Sequence, residues 1–258
     1  MRIFLSLFFL LSISSELEAY PKEHGPFAAG EFPTAVKFTN CVVVKREEIT
    51  TRNEAWPRVL FFGQTKKEGE IMVKVEPSVQ TNGWSITVLD GKGLAISGSA
   101  TNDTSGDVLN VWSADLNKDS KPDFVVYFGS TGCGLAAEGT THTFLLSSGT
   151  QYVATNFYSF YFGMEDVVKF KKGGPCYFIY NDVIGNSDEK TRDGRDHNFW
   201  VYQLYRFEGS KMVLANEDDS RFPKWVWYTF KENHRETDQL TKEQKQRLLE
   251  NMLRGKTD

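Results

Sequence analysis

The chain has 258 residues, of which 40% are hydrophobic, 25% charged and 14% aromatic, with a formal net charge of −4. This is ordinary globular usage with an aromatic surplus that suits pleated faces, and the length can bury a core without metal or disulfide support. A weakly acidic chain lacks the electrostatic footprint for nucleic acid or an anionic membrane.

Residues 1–19 read as a secretory signal peptide. Met1-Arg2 is a short positive start, Ile3 to Ile13 is almost wholly apolar, and Leu17-Glu18-Ala19 ends on a small residue. The apolar run is shorter than the roughly 20 residues a spanning helix needs, and no later segment is long enough. Removing residues 1–19 takes Lys+Arg from 30 to 29 and Asp+Glu from 34 to 32, a net charge of −3. The expected localisation is secreted or periplasmic. In that setting Cys41, Cys133 and Cys176 allow one bridge, in three possible pairings, with one thiol left over.

Residues 20–34 mix Pro, Gly and His irregularly and read as an extended lead-in. Residues 35–258 read as a single β-rich domain. Short runs such as Cys41–Val44, Val59–Phe62 and Ile71–Val75 are strand-like, and turn residues separate them. Trp84–Leu89 and Leu94–Ser97 flank Asp90-Gly91-Lys92-Gly93, a hairpin signal. Asn102-Asp103-Thr104 fits an N-glycosylation acceptor. Thr143–Leu146 and Gln151–Ala154 flank a second turn, Ser147-Ser148-Gly149-Thr150. Further strands are expected over Tyr177–Tyr180, Phe199–Phe207 and Lys224–Phe230, with a charged loop over Asn186–Asn198. Thr241-Lys242-Glu243-Gln244 has the form of a capping box, and Leu248, Leu249, Met252 and Leu253 form a stripe, so a helix is expected over about 241–254. An aromatic-Phe-Gly triplet recurs at Phe61-Phe62-Gly63, Tyr127-Phe128-Gly129 and Tyr161-Phe162-Gly163, which suggests diverged repeats.

The stretch that carries chemistry is Asp115 to Asp123 (DLNKDSKPD). Counting Asp115 as one, Asn117 is three, Asp119 five, Lys121 seven and Asp123 nine. A hard cation such as calcium takes six to eight oxygens, and odd positions of a tight loop can supply them. Asp115, Asn117, Asp119 and Asp123 offer side-chain oxygens, and Lys121 its backbone carbonyl. An EF-hand is excluded, because position twelve is Val126 and a strand follows.

The run from Ala114 to Val126 resembles the Asp-x-Asn-x-Asp-Gly-x-x-Asp core of FG-GAP and VCBS-type repeats. The resemblance implies a calcium loop joining two strands of a propeller-like sheet, with Asp115, Asn117, Asp119 and Asp123 as ligands and Lys121 as a carbonyl ligand. Ser120 stands where the pattern has glycine. Val168 to Tyr180 resembles a second copy whose acids are gone, with Lys169, Lys171 and Lys172 in their place. The repeat alignment puts Cys133 and Cys176 on neighbouring units and so implies that they pair.

Signals for catalysis are weaker. His24, His142, His197 and His234 are scattered, and neither a nucleophile elbow nor a phosphate or dinucleotide fingerprint occurs. The expected fold is mainly β, propeller-like or built of stacked antiparallel sheets, with one C-terminal helix. The expected function is that of an exported calcium-binding repeat protein with a binding or scaffolding role toward a protein or glycan ligand. Two alternatives stay open. One is a carbohydrate- or envelope-binding module using the strand Trp225–Phe230, where Trp225, Trp227 and Thr229 share a face. The other is a hydrolase with acids in Asp182–Asp196, where Asp193 and Arg195-Asp196-His197-Asn198 could build a site. Gly132-Cys133-Gly134 reads as a turn rather than an exposed nucleophile.

Overall fold

The computed structural model describes residues 33–48, 58–64, 70–78, 81, 83–97, 100–102, 106–129, 139–160, 163–184, 198–229, 232–236 and 241–254. The expected signal peptide, Cys133 and Asp193–His197 therefore lie outside the described residues.

In chain order the strands are β1 (Thr34–Ala35), β2 (Thr39–Asn40), β3 (Val42–Glu48), β4 (Arg58–Gly63), β5 (Met72–Pro77), β6 (Trp84–Leu89), β7 (Ala100–Asn102), β8 (Val108–Ala114) and β9 (Asp123–Phe128). They continue as β10 (Gly139–Ser148), β11 (Gln151–Phe160), β12 (Val167–Lys169), β13 (Tyr177–Ile184), β14 (Asn198–Glu208), β15 (Lys211–Leu214), β16 (Lys224–Thr229) and β17 (Glu232–Glu236). One helix follows, α1 (Lys242–Arg254). The strands make three sheets: β3-β4-β5-β6-β7; β11-β10-β9-β8-β2; and β1-β12-β13-β14-β16-β17, with β15 also on β14. Every ladder between these strands is antiparallel. The mainly β expectation holds, in its stacked form.

The second sheet is the middle layer. Phe124, Val126, Phe128 and Leu145 pack with Phe62, Val73, Val75, Ile86 and Val88 of the first sheet. Val125, Phe144 and Leu146 pack with Val167, Phe178, Tyr180 and Phe207 of the third. A strand covered on both faces needs apolar residues on both, which is why Phe124 to Phe128 runs without polar alternation. The third sheet has a second core on its outer face, where Val168, Ile179, Tyr202, Leu204 and Phe222 meet.

Both expected hairpins form. In the first, Asp90 Oδ1 accepts the amides of Lys92 and Leu94, and Gly93 takes φ +80°. Its return arm makes only isolated bridges at Ala95 and Ser97 before β7 pairs with β6. The second is longer than its sequence signal, because β10 and β11 pair from Ser148↔Gln151 out to Gly139↔Phe160. The helix starts as expected: the Thr241 amide donates to Gln244 Oε1 at 2.8 Å, and the Gln244 amide to Thr241 Oγ1 at 3.2 Å.

Three sequence expectations need revision. Asn102 is buried, and its Nδ2 donates to Thr143 Oγ1 at 3.0 Å, so the folded chain does not present it as a glycan acceptor. Cys41 and Cys176 are buried free thiols. The implied Cys133–Cys176 bridge is not formed: Cys176 packs among Val36, Leu116, Val167 and Phe178. Finally, the aromatic-glycine triplets are not equivalent. Phe62 and Phe128 close the second strands of successive meanders, whereas Gly163 follows β11, the fourth strand of its meander.

Candidate functional site

The Asp115–Asp123 stretch joins β8 to β9 at one end of the middle sheet. Its equivalent in the third sheet is the connection from β12 to β13, which carries the run Lys169 to Cys176. In each sheet a two-residue strand flanks the strand that leads into the loop, β2 beside β8 and β1 beside β12. The acid-free segment thus occupies the same topological place as the acidic one.

Inside the loop, alternate side chains fold back on the backbone. Asp115 Oδ2 accepts the Ser120 amide at 3.2 Å, Asn117 Oδ1 the Asp119 amide at 3.1 Å, and Asp119 Oδ1 the Lys121 amide at 2.9 Å. These Asx bonds wind the chain tightly enough to force Lys118 and Ser120 to φ +65° and +67°. Left-handed backbone costs a non-glycine residue roughly 1–2 kcal/mol. Replacing Ser120 by Gly is therefore expected to stabilise the fold by about 1 kcal/mol in urea unfolding, offset in part by extra freedom in the unfolded chain. A loss of stability would contradict that backbone assignment.

Asp123 differs from its neighbours. It is fully buried, whereas Asp115 and Asp119 are exposed. Its Oδ2 accepts the amides of Leu116 at 2.7 Å and Asn117 at 3.2 Å, and its Oδ1 the amide of Ser147 at 2.7 Å. The Ser147 hydroxyl lies between Asp123 Oδ1 at 2.9 Å and Asp119 Oδ2 at 2.8 Å, and can donate to one at a time. Burial raises the Asp123 carboxyl above its ordinary range, and the four donors oppose that shift without cancelling it.

The loop also reaches outward to three turns. Asn117 Nδ2 donates to the Ser147 carbonyl at 2.8 Å and the Gly209 carbonyl at 3.1 Å. The Lys118 ammonium donates to the Gly173 carbonyl, and that of Lys121 to the Gly149 carbonyl. All three turn glycines sit at positive φ. One loop of the middle sheet is therefore tied to its own hairpin turn and to two turns of the third sheet. Tyr152 adds a further tie by donating to the Pro122 carbonyl at 2.8 Å.

Sequence reasoning brought together Asp115, Asn117, Asp119, Lys121 and Asp123, and the structure keeps them in one loop. It missed Ser147, which read only as a turn residue, and the three glycine carbonyls, which have no sequence signal beyond turn-forming glycine. Among the described residues, no group of three His, Cys, Asp or Glu side chains is gathered closely enough to hold a metal ion. The loop's donors are all oxygens, the kind a hard cation takes. Asp115, Asn117 and Asp119 each keep acceptor capacity beyond the single amide bonds on the oxygens described above.

The other candidates fall apart spatially or lie outside the described residues. His142 is buried between Phe144, Phe157 and Phe178, with its ring stacked on Phe157 at 5.9 Å. Burial pulls its pKa down to about 3. Trp225 and Trp227 lie in β16 between β14 and β17, and their side chains are outside the described set. Among the described residues no helix is long and apolar enough to cross a membrane. Comparison with protein-family models, with curated proteins and with solved structures returns no match for this chain.

Proposed function

We propose that this is an exported, non-catalytic β protein whose Asp115–Asp123 loop binds one calcium ion and holds the second and third sheets in register for a binding or scaffolding role. The observation that carries this reading is the winding of the loop. The residues at positions one, three and five each accept an amide from within the loop, which curls the chain around a common side with oxygens at alternate positions. Asp115, Asn117 and Asp119 would supply side-chain oxygens, Lys121 its carbonyl and Asp123 a carboxylate oxygen. For Asp123 to ligate, it must exchange one of its present donors for the ion. The ion would offset repulsion between the carboxylates and add rigidity to a loop already tied to three turns. Export rests on the apolar start of the chain.

The test is thermal unfolding of the full chain in calcium and in excess EDTA. At a free calcium level 100-fold above Kd, binding to the folded state alone adds about 2.7 kcal/mol. For a domain of this size that raises Tm by roughly 5–10 °C. The Asp115→Asn, Asp119→Asn double variant should lose most of the shift. Identical melting curves in calcium and EDTA would refute the proposal.

A further inference from the structure

A chain with a formal net charge of −4 gathers lysines at one end of its fold. Four turns meet there: the Asp115–Asp123 loop, the β10–β11 turn at Gly149, the β12–β13 connection at Gly173 and the β14–β15 turn at Gly209. They bring together Lys118, Lys121, Lys171, Lys172 and Lys211, all of them exposed. The exposed acids on the same turns are Asp115, Asp119 and Glu208, and Glu208 is already held by Arg206 at 3.1 Å.

The charge of these lysines is not compensated. Strand lysines of the first sheet sit beside their own glutamates, Lys45 on Glu47 and Lys74 on Glu76. Among the described residues, none of the five turn lysines forms an ion pair. Lys118 and Lys121 donate to the carbonyls of Gly173 and Gly149, which are neutral acceptors. Each bond fixes an ammonium group in place and leaves it two further N–H donors and its full charge. Lys118 is thereby held against the turn that carries Lys171 and Lys172. Like charges brought together destabilise the free protein, and a bound polyanion removes that cost.

The same surface indicates the occupant. The large apolar side chains exposed among the described residues, Val42, Leu94, Leu109, Val153, Tyr158 and Leu214, all lie outside these four turns. The end therefore lacks the apolar anchors that a folded protein partner buries. Ammonium groups spread over four turn tips suit a flexible polymer with one charge on each unit, which can follow the turns and touch this end alone. We propose that Lys118, Lys121, Lys171, Lys172 and Lys211 form a docking surface for an acidic polysaccharide, a polymer carrying a carboxylate on each sugar. The inference rests on the binding role proposed above and gives it a ligand class, but it does not require the ion. Calcium on the loop would add positive charge beside the same lysines and tighten the contact.

The test is calorimetric titration of the full chain with tri-galacturonate in excess EDTA, with maltotriose as the neutral counterpart. Saturable binding is expected for the acidic sugar and none for the neutral one, and it should weaken several-fold between about 50 and 200 mM salt. The Lys171→Gln, Lys172→Gln double variant should weaken binding by about tenfold, and both positions are exposed with no ion pair to lose. Lys45→Gln, on the first sheet, should leave the affinity unchanged. The proposal is overturned if the acidic sugar does not bind, if maltotriose binds equally well, or if the double variant binds as tightly as the wild type. Binding to phosphatidylglycerol vesicles without binding to tri-galacturonate would also overturn it, in favour of a lipid surface. Because EDTA is present throughout, the outcome is independent of the calcium-dependent melting shift.

Discussion

Replacing Asp123 by Ala is expected to destabilise the protein by about 3–5 kcal/mol in EDTA, where no cation contributes. The substitution leaves the amides of Leu116, Asn117 and Ser147 without their acceptor, while the Ser147 hydroxyl keeps Asp119 Oδ2. Each orphaned buried donor costs about 1–3 kcal/mol, and water reaching the part-buried Asn117 amide lowers that sum. Against a typical total of 5–15 kcal/mol, such a loss is severe. Asp119→Ala removes bonds to the Lys121 amide and the Ser147 hydroxyl at an exposed position, and should cost about 1 kcal/mol or less. Asp123→Asn keeps one acceptor oxygen but turns an amide group toward an N–H, and should fall between the two. Urea unfolding of the three variants orders them. Equal losses for Asp123→Ala and Asp119→Ala in EDTA would show that Asp123 is not the loop's anchor, whatever its part in binding an ion.

The same residue marks where the sequence stops being legible. The spacing of Asp115, Asn117, Asp119 and Asp123 announces a wound loop before a strand, because Asx bonds reach only two to five residues and depend on local order. The partner that distinguishes Asp123 from the other acids is Ser147, which is 24 residues downstream on β10. No local pattern encodes that pairing. For the same reason both hairpins and the Thr241–Gln244 cap could be read directly, while the layering could not. The unbroken apolar run from Phe124 to Phe128 signals a strand buried on both faces, but not which sheets cover it. The two-residue strands Thr34–Ala35 and Thr39–Asn40 are too short to leave a period, yet they join the third and second sheets respectively.

Acid should affect this protein through buried His142 and half-buried Asp166, which act in opposite directions. His142 has its pKa lowered from 6.5 to about 3 by burial among aromatic rings. Between those values the unfolded chain binds a proton that the folded chain refuses, so this group removes stability as pH falls from 6.5 toward 3. Asp166, on the short turn Met164–Asp166, accepts the Gly163 amide at 2.9 Å, and burial, helped by neighbouring Glu165, raises it from 3.8 to about 8. Here the folded chain holds a proton that the unfolded chain releases, so stability is lost as pH rises from 3.8 to 8 and is gained as pH falls through that range. Asp123, raised by burial, adds in the same direction. Each uncompensated proton contributes at most about 1.4 kcal/mol per pH unit. The wild-type chain should therefore gain stability from pH 8 to 6.5, change little from 6.5 to 4 where the terms oppose, and lose it below that. Urea unfolding across this series separates them. His142→Phe, which keeps a ring among Phe144, Phe157 and Phe178, should continue to gain stability down to about pH 4. Asp166→Asn, which keeps an acceptor for the Gly163 amide, should begin losing stability at about pH 6.5. The assignment fails if the two variants track the wild-type profile, because the differences between the three curves cancel every other titrating group in the chain.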